Sequence, residues 1–189
     1  MRGIMMVSGQ PMRSRRLGRG HNVKQRTGEP WMAADVYGRS LRGFGVNLVV
    51  RNVARAVAFC RQVLGAGVVY SDADFAVLRR GEVEWMLHAD HTYAKHPLYE
   101  ALRGDLPRGL GAELRLHGCD PDAAQQAARA GGFTVLAAVA DKPHGLRECY
   151  LLDPDGYLWV PDVPLPRAPA GQLNDGGAGS SPRASPGPR

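Results

Sequence analysis

The stretch VNLVVRNVARAVAFCRQVLG, residues 46–65, changes its hydrophobic period partway along. Gly45 to Val50 is rich in β-branched residues and reads as a strand. Asn52 follows as a helix N-cap, Val53, Val57, Cys60 and Leu64 recur at helical spacing, and Gly65 ends the helix. Three strand candidates come next: Gly67–Ser71, Phe75–Arg79 and Val83–His88. A tight turn at Arg80-Gly81 joins the last two.

The same order returns downstream. Residues 111–116 (GAELRL) alternate like a strand. Asp120-Pro121-Asp122 opens a helix with an N-cap carboxylate, a proline at the first helical position and a second acid near the positive end of the helix dipole. Ala123, Ala124, Ala127 and Ala128 give it a small apolar face, and Gly131-Gly132 end it. Strands are expected at Phe133–Val139, Arg147–Leu152 and Tyr157–Pro161, the last two joined at Asp153-Pro154-Asp155-Gly156. The chain thus reads βαβββ twice, an internal duplication in which one module alone would leave a sheet face bare. The expected fold class is α+β. Two βαβββ modules form a curved, partly open eight-stranded trough with the helices outside.

Composition bounds the rest. The chain has 189 residues, 44% hydrophobic and 22% charged, which fits a globular domain and excludes a coiled coil or a fully disordered chain. No apolar run approaches the ~18 residues of a membrane span. Cys60, Cys119 and Cys149 are an odd, widely spaced set that makes neither a disulfide framework nor a zinc knuckle, so a cytoplasmic setting is expected. The net charge of +6 resembles a nucleic-acid signal only until it is divided. Residues 1–42 carry +7, residues 166–189 carry +2, and the middle carries −3. The folded part therefore offers nucleic acid no basic surface. The expected layout is a disordered basic extension over 1–42, a domain over 43–164 with modules at about 43–91 and 109–164, and a disordered Pro/Gly/Ser-rich tail over 165–189.

Three segments in order resemble the vicinal oxygen chelate superfamily, which includes glyoxalases, extradiol dioxygenases, fosfomycin-resistance enzymes and bleomycin-resistance proteins. They are residues 46–65, DFAVLRRGEVEWMLHADH (74–91) and DKPHGLRECYLLDPDGYLWV (141–160), the last with the D-P-D-G hairpin. Pro143, Gly145, Arg147 and Glu148 are most similar to the bleomycin-resistance branch. The resemblance implies a divalent metal held by one residue on each of four strands. Those positions fall on Gly45, Met86 (Glu84 or Trp85 after a register slip), Gly111 and Val160. Glycine and valine have no donor atom, and a thioether suits soft metals only. The Lewis acid of the family's reactions is thereby lost, and no metal or other cofactor is expected.

Strand alternation names what faces the trough instead. If Gly45 faces it, so do Asn47 and Val49, then Glu84, Met86 and His88, then Glu113 and Arg115, then Glu148 and Tyr150. The candidate ligand-binding set is Asn47, Glu84, Met86, His88, Glu113, Arg115, Glu148 and Tyr150. Arg115 is also a partner for Glu113 or Glu148, and charges on an exposed strand face are often merely solvated. As a group, carboxylates beside a phenol suit a cationic, partly aromatic ligand. Trp85 and Trp159 have the opposite parity and are expected against the helices, and Cys60 is expected to pack. His88, His91 and His96 lack helical i, i+4 spacing and read as surface histidines. Asp90 to Gly109, containing His96-Pro97-Leu98-Tyr99, is expected as an inter-module linker with a short helix that lids the trough.

Three functions follow. The first is a metal-independent small-molecule binding protein of the bleomycin-resistance-like type. It would sequester a ligand, a cationic antibiotic in the specific version, in the trough or in a homodimer groove. The second is a metal-dependent lyase, isomerase or dioxygenase with a displaced site on Glu84, His88, Glu113 and Glu148. The third is an interaction module acting through its Arg-rich extension.

Overall fold

A computed structural model describes residues 31–166 of the chain. Eight strands form two four-stranded mixed sheets. The first contains β1 (Val46–Val50), β2 (Gly67–Ser71), β3 (Phe75–Arg80) and β4 (Val83–Ala89) in the order β1-β4-β3-β2. The second contains β5 (Glu113–His117), β6 (Thr134–Asp141), β7 (Leu146–Leu152) and β8 (Leu158–Pro164) in the order β5-β8-β7-β6. In each, the first strand runs parallel to the last and the other pairs are antiparallel. The duplicated βαβββ pattern is therefore a duplicated topology.

Helix α1 spans Ala34–Ser40, α2 Val53–Gln62, α3 Tyr99–Leu102 and α4 Pro121–Ala130. The caps are those the sequence names. Asn52 Oδ1 accepts from the Arg55 amide at 2.9 Å, and Asp120 Oδ1 accepts from the Asp122 and Ala123 amides at 2.9 and 3.3 Å. Each bond satisfies a donor that the helix itself leaves orphaned.

One core joins the modules. Val53, Ala56, Phe59 and Cys60 of α2 and Ala124 and Ala128 of α4 meet Leu48, Leu78, Trp85, Leu87, Leu151 and Trp159 of the sheets. Phe59 meets Phe133 edge-on at 5.1 Å, and Trp85 meets Trp159 at 5.4 Å. Both tryptophans and Cys60 thus take the packing roles expected of them, and burial pushes the Cys60 thiol up to about 12, which leaves it inert. Polar clamps add to this. Asp155 in the β7–β8 turn accepts from the Arg51 amide at 2.9 Å, and the Tyr157 hydroxyl donates to the Val49 carbonyl at 3.0 Å. In the linker, Arg108 donates to Asp90 at 2.5 and 2.8 Å, to the Val49 carbonyl at 2.7 Å and to the Leu102 carbonyl at 3.2 Å. That pins α3 and the 3-10 turn Asp90–Tyr93 beside the end of β1.

Most strand ends shift by one or two residues from the sequence reading, and two boundaries bear on the site. The expected extension runs to residue 42, yet α1 lies inside that span and rests on the first sheet, while residues 1–30 are outside the described residues. Strand β8 continues three residues past Pro161, to Pro164, and brings Asp162 into the sheet. The tail beyond residue 166 is outside the described residues.

Candidate functional site

Each sheet has one face against α2 and α4 and one face away from them. On the first sheet, Phe75, Val77 and Met86 form a separate buried cluster on the outer face, with Tyr37 of α1 and Tyr70 of β2 packed against it. Rings continue around it. Trp31 stacks on Tyr70 at 5.4 Å and 15°, Tyr37 meets Phe75 edge-on at 5.9 Å, and Phe75 lies 4.8 Å from His88. The Tyr37 hydroxyl donates to Glu84 Oε1 at 3.0 Å, and Arg79 holds the other carboxylate oxygen of Glu84 at 2.6 Å. Burial and that bond push the Tyr37 phenol up to about 12, so it stays a donor. A cavity of about 260 Å³ lies among these groups, lined by Trp31, Met32, Ala34, Tyr37, Gly38 and Leu41 on one side and by Asn47, Asp74, Phe75, Met86, His88 and Thr92 on the other. Asp74 is only 1% exposed and lies 2.9 Å from His91 Nε2.

The second sheet's outer face is ionic. Glu148, fully buried on β7, receives the Tyr150 hydroxyl at 2.6 Å and an Arg115 N–H, with His144 Nε2 at 3.4 Å and Lys142 Nζ at 4.0 Å. Arg115 also donates to Asp162 Oδ2 at 3.1 Å and to Glu113 Oε2 at 3.3 Å. Asp162, 1% exposed, has His117 Nδ1 at 2.7 Å from its other oxygen. Burial alone would push the Glu148 carboxyl up, but the Tyr150 hydroxyl and the Arg115 guanidinium outweigh it and hold the carboxyl at about 2. Glu148 is thus held as a carboxylate whose charge is answered from within the protein.

The eight candidate residues divide accordingly. Asn47, Met86 and His88 line the aromatic cavity. Glu113, Arg115, Glu148 and Tyr150 belong to the ionic network. Glu84 stands between the groups, bound to Tyr37 and facing a cavity of about 290 Å³ at the module junction that Glu113 and Arg115 also line. Trp31, Tyr37, His117 and Asp162 are absent from the sequence-derived set. Asp162 shares parity with Val160 and was readable had the strand been carried past Pro161; Trp31 and Tyr37 carry no periodic signal at all.

The family's metal does not fit these residues. The positions that the resemblance assigns to it are Gly45, Met86 (Glu84 or Trp85 after a register slip), Gly111 and Val160, and among the described residues no three His, Cys, Asp or Glu side chains group closely enough to hold a metal ion. Of the displaced set, Glu84 is engaged by Arg79 and both Glu113 and Glu148 by Arg115.

The family model for the Glyoxalase/Bleomycin resistance protein/Dioxygenase superfamily matches residues 45–160, more than half of the chain. The chain belongs to that superfamily. Solved structures agree on the superfamily fold. A glyoxalase/bleomycin resistance protein/dioxygenase from Nocardioides is 24% identical with a TM-score of 0.52, over 74% of this chain and 97% of that one. A family enzyme from Burkholderia phytofirmans PsJN is 21% identical with a TM-score of 0.55, over 64% and 97%. A glyoxalase-related enzyme from Fulvimarina pelagi is 16% identical with a TM-score of 0.52, over 65% and 87%. No curated protein matches. The family model's span begins at residue 45, so α1 lies outside it. No helix among the described residues is long and apolar enough to cross a membrane.

Proposed function

We propose that this chain is a metal-independent small-molecule binding protein, and that the ligand sits on the outer face of the first sheet, against Met86, Phe75 and His88. The observation that carries this reading is the aromatic cavity of about 260 Å³ around Met86, a thioether at one of the positions that the resemblance assigns to the metal. Ring faces and a polarisable sulfur favour a flat organic molecule through burial and stacking. Capture needs no bond breaking and no Lewis acid, which suits a site with few donors.

The ionic network narrows the bleomycin-type version. Glu113 and Glu148, two of the carboxylates meant to attract a cationic antibiotic, are already engaged by Arg115, with Lys142 also near Glu148. A bleomycin-sized glycopeptide also exceeds the cavity of about 260 Å³. A smaller ring system, neutral or cationic, is the better match. A homodimer and a cytoplasmic setting belong to the same proposal; light scattering tests the first.

Thermal unfolding against a panel of ring compounds, with and without a chelator, tests the reading. A binder of the folded state raises its apparent stability. The expected result is stabilisation by at least one ring compound, unchanged by the chelator. Stabilisation that appears only with added divalent metal would transfer the protein to the enzyme class.

A further inference from the structure

Half of the residues around the aromatic cavity come from a segment that the superfamily match does not include. Six of them lie between Trp31 and Leu41, and six on or beside the first sheet. The matched span begins only at residue 45. The two halves are built very differently. Ala76, Val77 and Leu78 of β3 are fully buried and hydrogen-bonded on both sides. Helix α1 has seven residues, none of them buried, and no side-chain cap at its start. Isolated helices under ~12 residues do not hold themselves together in water, so its order depends on what it touches.

Among the described residues, three ring or hydrogen-bond contacts join the segment to the first sheet. They are the Tyr37 hydroxyl on Glu84, the Tyr37 ring edge on Phe75 and the Trp31 ring on Tyr70. Between α1 and β1 the chain runs Leu41-Arg42-Gly43-Phe44-Gly45. Gly43 has φ +67°, neither glycine has an atom within 4 Å of where a Cβ would be, and Phe44 is 91% exposed. This connection can change direction without disturbing any packed residue. A segment held by a handful of surface contacts opens far more easily than the sheet beneath it.

We propose that Trp31–Leu41 is a displaceable lid, which carries Tyr37 and Trp31 onto the ligand and lifts about Gly43–Gly45 to let it in. This rests on reading the cavity as the ligand site. It also deepens that reading. With the segment in this position the cavity of about 260 Å³ falls below the ~300 Å³ at which drug-sized pockets begin, which favours a ligand of one or two flat rings. Larger molecules would have to hold the lid open.

Hydrogen exchange on the full chain tests the lid, with quinoline and N-methylquinolinium as neutral and cationic two-ring probes and calorimetry run alongside. Amides 35–41 should exchange at least about a hundredfold faster than amides 76–78 and 86–88. A probe that gives binding heat should slow exchange at 35–41. Tyr37→Phe, which removes only the hydroxyl bond to Glu84, should speed exchange at 35–41 by about fivefold and leave 76–78 unchanged. Exchange at 35–41 as slow as in β4 overturns the lid. Binding heat with unaltered exchange at 35–41 overturns the lid but leaves the cavity as the ligand site. Fast exchange with no heat from either probe overturns the cavity reading and the lid with it.

Discussion

Arg115 on β5 reaches across β8 to bind the fully buried Glu148 on β7. On the way it also binds Asp162 on β8. One partly exposed guanidinium therefore answers two carboxylates that have no access to water. The acidic side chains that sequence parity offers to a cationic ligand serve this bond first.

The network predicts unequal costs for its members. Arg115→Ala leaves two buried carboxylates without their main cation, and breaking such a pair costs about 3 kcal/mol or more. Glu148→Gln keeps the Tyr150 partner and removes one buried charge, so its cost is smaller, about 1–2 kcal/mol. Urea unfolding of the two variants gives the order directly. Equal losses below about 0.5 kcal/mol would show the network to be solvated.

Glu148 also sets an acid limit. Its folded value lies near 2 against an ordinary 4.5. A depressed folded value contributes stability in full above the unfolded value, and that contribution fades as pH falls from about 4.5 toward 2. The wild-type melting temperature should drop across that window more steeply than that of Glu148→Gln. Parallel curves from pH 6 to pH 2 would contradict the assignment.

The two hairpin glycines should differ. Both sit at positive φ, +57° for Gly81 and +88° for Gly156. A Cβ on Gly81 meets nothing within 4 Å, so Gly81→Ala costs only backbone strain, about 1 kcal/mol. A Cβ on Gly156 falls 2.7 Å from Pro107 Cβ and 2.9 Å from its Cα, in a linker that Arg108 pins. Gly156→Ala should cost about 3 kcal/mol or more, as strain and overlap add. Denaturant midpoints compare the two on one scale.

Met86 offers a test of the cavity that spares the fold. It is 8% exposed and packed on Phe75 and Val77. Met86→Phe keeps the site apolar and puts a ring where the ligand would lie, with a stability change under about 1.5 kcal/mol. A ring compound that stabilises the wild type should lose at least about tenfold in affinity, read by calorimetry. Unchanged affinity would move the ligand elsewhere.

The architecture was legible in the chain because strand and helix periods, the Asn52 and Asp120 caps and the repeated order of elements are local properties. Alternation further separated Trp85 and Trp159 from Met86 and Glu148, since a strand side chain can only face one way or the other. Two things were not local. Seven residues at Ala34–Ser40 with one inward ring have no period to detect, and they become a helix only where Phe75 and Met86 supply an apolar surface. Charge was the other. The sequence shows three carboxylates and one arginine on a face, but whether they await a ligand or satisfy one another depends on distances across β8. Burial of Glu148 and Asp162 beside Arg115 is decided by how the strands lie together, and that arrangement exists only in the folded sheet.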